Sequence, residues 1–316
     1  MMNDVFLKIC KIDKEKAKEI VDKVYGIAKT GSKIAWEKYS DYWKKWGYTN
    51  FNDKWLEDIA GKGTILDRWK HGHKIELNDL YKAWVENLFV RARGTATYRK
   101  IDEEEGKLEK KLKEVTHQFN PFYSRGLLSE KDIFKLMDKK KSWDIRKNYN
   151  NGHPGIAKAI MIGADLLTRY SDKPKKCAEE LLKEISEADE KYDLEMKWNY
   201  VEKYVTGKDV DGSGKIHELG NIPMVNNAIF CSFLLRIGVK NFVKPDYALR
   251  QLFCKDDFIV FFFCDRLAKF TKKYPRTIDK IFWLVKSDLA VTDHHIDEDY
   301  RKSEWEKISN VFKDIF

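Results

Sequence analysis

Apolar residues recur along most of this chain at the three- and four-residue intervals that line one face of a helix. In residues 14–29 the recurring positions are Ile20, Val21, Val24, Ile27 and Ala28, and over 33–46 they are Trp36, Tyr39, Trp43 and Trp46. A third segment, 77–92, places Leu77, Leu80, Tyr81, Trp84 and Leu88 together and ends in the basic run Arg91-Ala92-Arg93. Residues 102–117 are highly charged with a thin seam of Leu108, Leu112 and Val115, the composition of an exposed helix laced with ion pairs. Gln118-Phe119-Asn120-Pro121 ends it, and Ser129 with Asp132 opens the next helix in the manner of a capping box. Further helices are expected around Ile156, Ala159, Ile160, Gly163, Ala164 and Leu167, and from Pro174 through Cys177, Leu181, Leu182 and Ile185.

The stretch 228–237 differs from these because only Ser232 and Arg236 are strongly polar. A helix apolar nearly all the way round is a buried one, and Gly238 stops it. The run from Phe258 to Cys264 taken alone suits a strand. Its continuation through Leu267, Ala268 and Phe270 to Tyr274 keeps helical spacing, and Pro275 opens a last helix bearing Ile278, Phe282 and Trp283. The expected fold is all-α and two-lobed, with the boundary in the loop near 125, giving regions 1–125 and 126–316. No internal repeat or low-complexity tract is visible.

The 316 residues are 43% hydrophobic, enough for a large core in one or two domains. The formal charge of +9 permits binding to a polyanion without demonstrating it, since a solvated lysine-rich surface has the same composition. Cys10, Cys177, Cys231, Cys254 and Cys264 are scattered and form no Cys-x-x-Cys pair. They read as reduced core residues, and a cytoplasmic or nucleoid-associated location is expected. The longest apolar run is too short to span a membrane, and the N-terminus lacks a signal-peptide layout.

Residues 139–153 interleave Lys139, Lys140, Lys141, Arg146 and Lys147 with Trp143 and Tyr149, cations for phosphates and rings for unstacked bases. The tryptophan stripe of 33–46 has two readings, a stacking platform or core packing, and core is the commoner use. Asp209, Asp211, Ser213, Gly214 and Ile216 match part of a calcium-binding EF-hand loop. The twelfth position, where a bidentate glutamate belongs, is Gly220, so the loop reads first as a glycine-rich turn and second as a weak cation site. His71-x-His73 and His294-His295 offer no metal-ligand spacing of a known type.

Ile222-Pro223-Met224-Val225-Asn226, the apolar helix, and Lys244-Pro245-Asp246 together resemble the helix-hairpin-helix DNA glycosylase superfamily, in which a hairpin, a helix and a catalytic aspartate follow in this order. Pro275, Ile278, Asp279 and Phe282-Trp283 are similar to that family's closing helix. The resemblance covers about 222–285 and reaches back toward 155. It implies that 126–316 is glycosylase-like, that Asp246 is the catalytic carboxylate, and that Pro223, Met224, Val225, Asn226, Asn227 and Lys244 join the 139–147 cations in holding DNA. Trp143, Tyr149, Phe230 and Tyr247 would wall a base pocket.

Two departures stand out. Met224 and Asn226 replace the hairpin glycines, and asparagine is the better suited of the two to a left-handed turn. Asn227-Ala228 stands where bifunctional members carry a lysine nucleophile, which implies a monofunctional enzyme without Schiff-base chemistry. The expected partner is double-stranded DNA, with no cofactor, no membrane and a monomeric chain. Three readings stay open: a base-excision glycosylase, a non-enzymatic nucleic-acid-binding protein with a degenerate hairpin, and a helical interaction protein that does not touch DNA. Asp246 is equally a candidate helix N-cap behind Pro245.

Overall fold

The computed structural model describes residues 2–38, 64–92, 110, 112–126, 155–206, 225–245, 249–250, 256–287, 306 and 310. All regular structure among them is α-helical, as the periodicity predicts. No helix among the described residues is long and apolar enough to cross a membrane. The elements are α1 (Met2–Cys10), α2 (Lys14–Lys38), α3 (Ile65–Lys70), α4 (Leu77–Ala92), α5 (Pro121–Gly126), α6 (Gly155–Thr168), α7 (Pro174–Lys191), α8 (Leu194–Thr206), α9 (Asn227–Ile237), α10 (Asp257–Thr271) and α11 (Pro275–Ser287).

The chain divides into two compact units that do not follow chain order. One comprises Met1–Lys62 with Lys240–Phe316, and the other Gly63–Val239. The boundary expected near 125 falls inside the second unit, at the end of α5. The 222–285 stretch is divided at 239/240, with α9 in one unit and α10 and α11 in the other.

In the first unit α2, α10 and α11 pack on one another. Ile20, Val21, Val24 and Ala28 of α2 are buried, as are Phe261, Phe263 and Leu267 of α10 and Ile278, Ile281 and Phe282 of α11. Phe263 meets Phe282 edge-on, with ring centroids 6.2 Å apart. The short α1, unmarked in the sequence pattern, is held to α10 at its middle and at its C-terminal end. Phe6 stacks on Phe262 at 4.6 Å, and the Arg266 guanidinium donates to Cys10 O and Ile12 O, carbonyls at and just beyond the end of α1. The expected break between helices at 29 and 33 is absent. α2 runs unbroken past Gly26 and Thr30, whose hydroxyl bonds back to the Gly26 carbonyl, a side-chain bond a helix tolerates.

In the second unit α6 lies against α4 and α5, and α9 lies against α4 and α8. Gly163 lets the Trp84 indole reach the α6 backbone, where Nε1 donates to Ala159 O at 2.9 Å. One turn away on α4, Tyr81 donates to Ile160 O at 3.1 Å. These two bonds satisfy buried polar tips of large rings. Beyond α6, Arg169 pairs with Glu184 of α7 at 3.0 Å while its guanidinium lies over the Tyr170 and Tyr204 rings. The Tyr170 and Tyr204 hydroxyls both donate to the same Glu184 carboxylate. Burial, with Glu184 nearby, raises the Tyr200 and Tyr204 phenols well above the ordinary value.

The chain before α5 departs from the expected helix at 117. His117, Gln118 and Phe119 all adopt left-handed φ, of 46°, 62° and 56°, which non-glycine residues take at a cost. Burial of Phe119, its amide bond to Thr116 Oγ1 and the Asn120 cap on Phe122 N offset that strain. Of the cysteines, Cys177, Cys231 and Cys264 are buried as expected. Cys10 is exposed, a correction to its core assignment, because it ends α1 on the solvent side, and Cys254 lies outside the described residues.

Candidate nucleic-acid interface

The α9 helix begins and ends on local signals. Asn226 is its N-cap, with side-chain Oδ1 accepting from Ile229 N at 3.0 Å. Its backbone is extended (φ −106°, ψ 177°), which corrects the expectation of a left-handed residue there. The physical reason is that a capping asparagine needs extended backbone to turn its carboxamide onto the helix amides. One amide of this helix start is thereby occupied by the chain itself. Val225 beside it is buried, Asn226 is exposed and Asn227 is half-buried. At the other end Gly238 takes φ 113°, and its N–H and that of Val239 reach back to Leu235 O and Leu234 O.

From Lys240 the chain is clamped to the first two turns of α11. The Arg276 N–H, an amide the helix itself leaves without an acceptor, donates to Lys240 O at 3.1 Å. The Asp279 carboxylate, 3% exposed, accepts from the Lys244 N–H at 2.9 Å. Between these bonds Phe242 and Val243 are fully buried, and Phe242 meets Phe261 edge-on at 6.0 Å. Pro245 is buried as well, and Leu249 on the far side of Asp246 is fully buried and helical.

Locking this backbone brings cations and rings together. Lys240 Nζ stands over the Tyr274 ring at 5.3 Å; Lys244 Nζ and Lys280 Nζ stand over the Trp283 ring at 5.3 and 4.1 Å. Each contact sets a cation against the negative face of a ring. Residues 240–287 hold eleven Lys or Arg against five Asp or Glu. Three of those carboxylates are spent inside the fold: Asp256 caps α10, Asp257 pairs with Arg250, and Asp279 holds Lys244. What remains at the surface here is Lys240, Arg276 and Lys280 with the Tyr274 and Trp283 rings, cations and aromatic faces of the kind that suit a phosphodiester chain, while Lys244 lies buried.

Among the residues assigned to DNA or base contact, Lys244 is buried at 9% exposure with its Nζ over the Trp283 ring, which corrects its assignment to a DNA-contacting surface: packing against the ring takes it from solvent. Phe230 does not line an open pocket. It is 2% exposed and stacked on Tyr204 at 4.9 Å, so α9 uses it as core. Pro223, Met224, Lys139, Lys140, Lys141, Trp143, Arg146, Lys147, Tyr149, Asp246 and Tyr247 lie outside the described residues, as do Asp209, Asp211 and Ser213 of the candidate cation loop. His71 and His73 are exposed at the end of α3, and no metal-binding group of acids, histidines and cysteines occurs among the described residues.

Lys240, Tyr274 and Lys280 are absent from the residues singled out by sequence. A signal for Tyr274 was present in the basic, ring-bearing turn Lys272-Lys273-Tyr274-Pro275-Arg276. The clamp role of Asp279 leaves no such mark, because its partner is a backbone amide 35 positions upstream. Comparison with family models, curated proteins and solved structures finds no match to this chain.

Proposed function

We propose that this protein binds DNA through the basic and aromatic surface of α11 and the 240–244 segment, and that it removes a damaged or modified base by N-glycosidic hydrolysis at Asp246. The observation carrying the binding half is the placing of Lys240 on Tyr274 and of Lys280 on Trp283. The catalytic half rests on the helix-hairpin-helix resemblance, supported by a 240–245 segment tied down immediately before Asp246. In this reaction water adds to C1′ of the deoxyribose, the C1′–N bond breaks, and the base leaves carrying a proton. An ionised Asp246 would accept the proton of the attacking water and stabilise the oxocarbenium-like transition state. The target base has to leave the stack to reach it.

The capping role of Asn226 favours a second reading. A helix start that already uses a side chain to satisfy its own amide fits a non-enzymatic DNA-binding protein whose hairpin no longer holds a phosphate. One experiment separates the two. Oligonucleotides carrying uracil, alkylated purines or oxidised guanine are incubated with the protein and heated in alkali to cut abasic sites. Base release that disappears in Asp246→Asn while binding by anisotropy persists supports the enzyme. Salt-sensitive binding without release on any substrate supports the second reading, and absence of salt-sensitive DNA binding overturns both.

A further inference from the structure

Large apolar side chains on the described surface are few: Leu7, Met196 and Tyr274, of which Tyr274 is the only aromatic. The residue is 48% exposed, yet its backbone is fixed. The Tyr274 carbonyl accepts from Thr277 N and Ile278 N at the start of α11, Pro275 behind it is buried, and Arg276 N is bonded to Lys240 O. The ring is thus held out on a stiff turn, so a partner stacking on it orders little further chain.

The charge around it has one sign. From Arg266 to Ile278 the chain has five basic residues and no acidic one. Lys272 caps α10 in a left-handed conformation, φ 55°, where glycine would carry no strain. Lys240 approaches the ring from the clamped segment. Cations suit any phosphodiester, but an exposed phenol ring adds something only if a flat base face is available to it. Paired bases in a duplex keep their faces inside the stack, whereas unpaired bases stack readily on aromatic side chains.

From this we infer that the Tyr274 turn, with Lys240, Lys272 and Arg276, is a platform for an unpaired nucleotide, and that the preferred ligand is single-stranded DNA or a strand with unpaired bases. This rests on the DNA-binding reading above and narrows it to the state of the strand.

The test is fluorescence anisotropy of the full chain with four probes: a labelled oligothymidylate, a duplex of equal length, an abasic phosphodiester chain of equal length, and phosphatidylserine vesicles. The oligothymidylate is expected to bind more tightly than the duplex or the abasic chain. Tyr274→Ala should weaken it between about fivefold and a hundredfold, the scale of one lost base stack, with the salt slope unchanged. Tyr274→Phe should bind as the unsubstituted protein does, and because the side chain is exposed both variants should keep the wild-type melting temperature. Lys240→Ala should instead flatten the log–log salt slope by about 0.7 if it contacts one phosphate of a single strand. Equal binding of the thymidylate and abasic chains overturns the platform while leaving DNA binding intact. Tyr274-dependent binding to vesicles alone overturns it in favour of a membrane surface. No binding to any nucleic acid overturns the underlying reading and the platform with it.

Discussion

Replacing Gly163 and Gly26 by alanine, the same change in two helices, should move stability in opposite directions. A β-carbon on Gly163 would lie 1.9 Å from Trp84 Nε1 and 2.4 Å from Cδ1, both in the fully buried indole. To restore an ordinary contact the ring must retreat by about 1.5 Å, which breaks its bond to Ala159 O. A buried indole N–H left without an acceptor costs about 1–3 kcal/mol, and forcing a packed core apart costs about 1–3 kcal/mol more. The gain from replacing glycine inside a helix is about 0.5–1 kcal/mol. The net is a loss of about 1–5 kcal/mol, and a central value of about 3 corresponds to a fall of about 6–12 °C in the melting temperature of a unit this size.

Gly26 sits on the exposed side of α2 with nothing within 4 Å of the methyl that alanine would add, so only the propensity gain of about 0.5–1 kcal/mol remains. Urea and thermal unfolding followed by circular dichroism read both variants. In a Trp84→Leu background Gly163→Ala should become nearly neutral, since the clash goes with the indole. A Gly163→Ala protein as stable as the unsubstituted one, or no coupling to Trp84, would refute the close approach of the indole to α6.

Other consequences are as direct. Asp279→Ala leaves the Lys244 amide buried without its acceptor, so it should destabilise by about 1–3 kcal/mol and weaken DNA binding; Asp279→Asn, which keeps an acceptor oxygen, should recover part of both. Equal effects of the two would argue against the clamp. Gly238→Ala should destabilise the second unit, because its φ is 113° and the new methyl would meet Thr64 Oγ1 at 2.1 Å; the midpoint of urea unfolding reads it. Burial raises the phenols of Tyr81, Tyr200 and Tyr204. Above the ordinary tyrosine value near 10 the unfolded chain loses these protons while the folded one keeps them, so stability is intact below about pH 10 and falls above it. The slope is at most about 1.4 kcal/mol per pH unit for each ring. Melting curves between pH 8 and pH 11 should show this fall, shallower in Tyr204→Phe; a flat profile would contradict the burial of these hydroxyls.

Sequence alone was sufficient wherever the determinant is local. The apolar period marks α4 and α6, Pro174 and Pro275 open their helices, and Gly238 closes α9. Each depends on residues within one turn, so the pattern is complete in a short window. The same locality placed α9 in the core. α1, α3 and α8 went unseen because they are short or mixed in pattern, and packing on α10 and α7 or capping by Arg266 and Thr64 stabilises them instead.

Tertiary structure alone decided the rest. Unit membership passes from residue 62 to residue 240, so the chain's order does not reveal which helices share a core. Phe230 has the composition of a pocket wall but is covered by Tyr204 from another helix. The candidate surface depends on a carboxylate gripping a backbone amide, and any residue but proline can supply that N–H. An interaction whose partner has no side-chain identity, and whose span is set by the path of the chain, leaves no periodic or compositional trace. Only the folded backbone brings Asp279 to Lys244, and Lys240 to Tyr274.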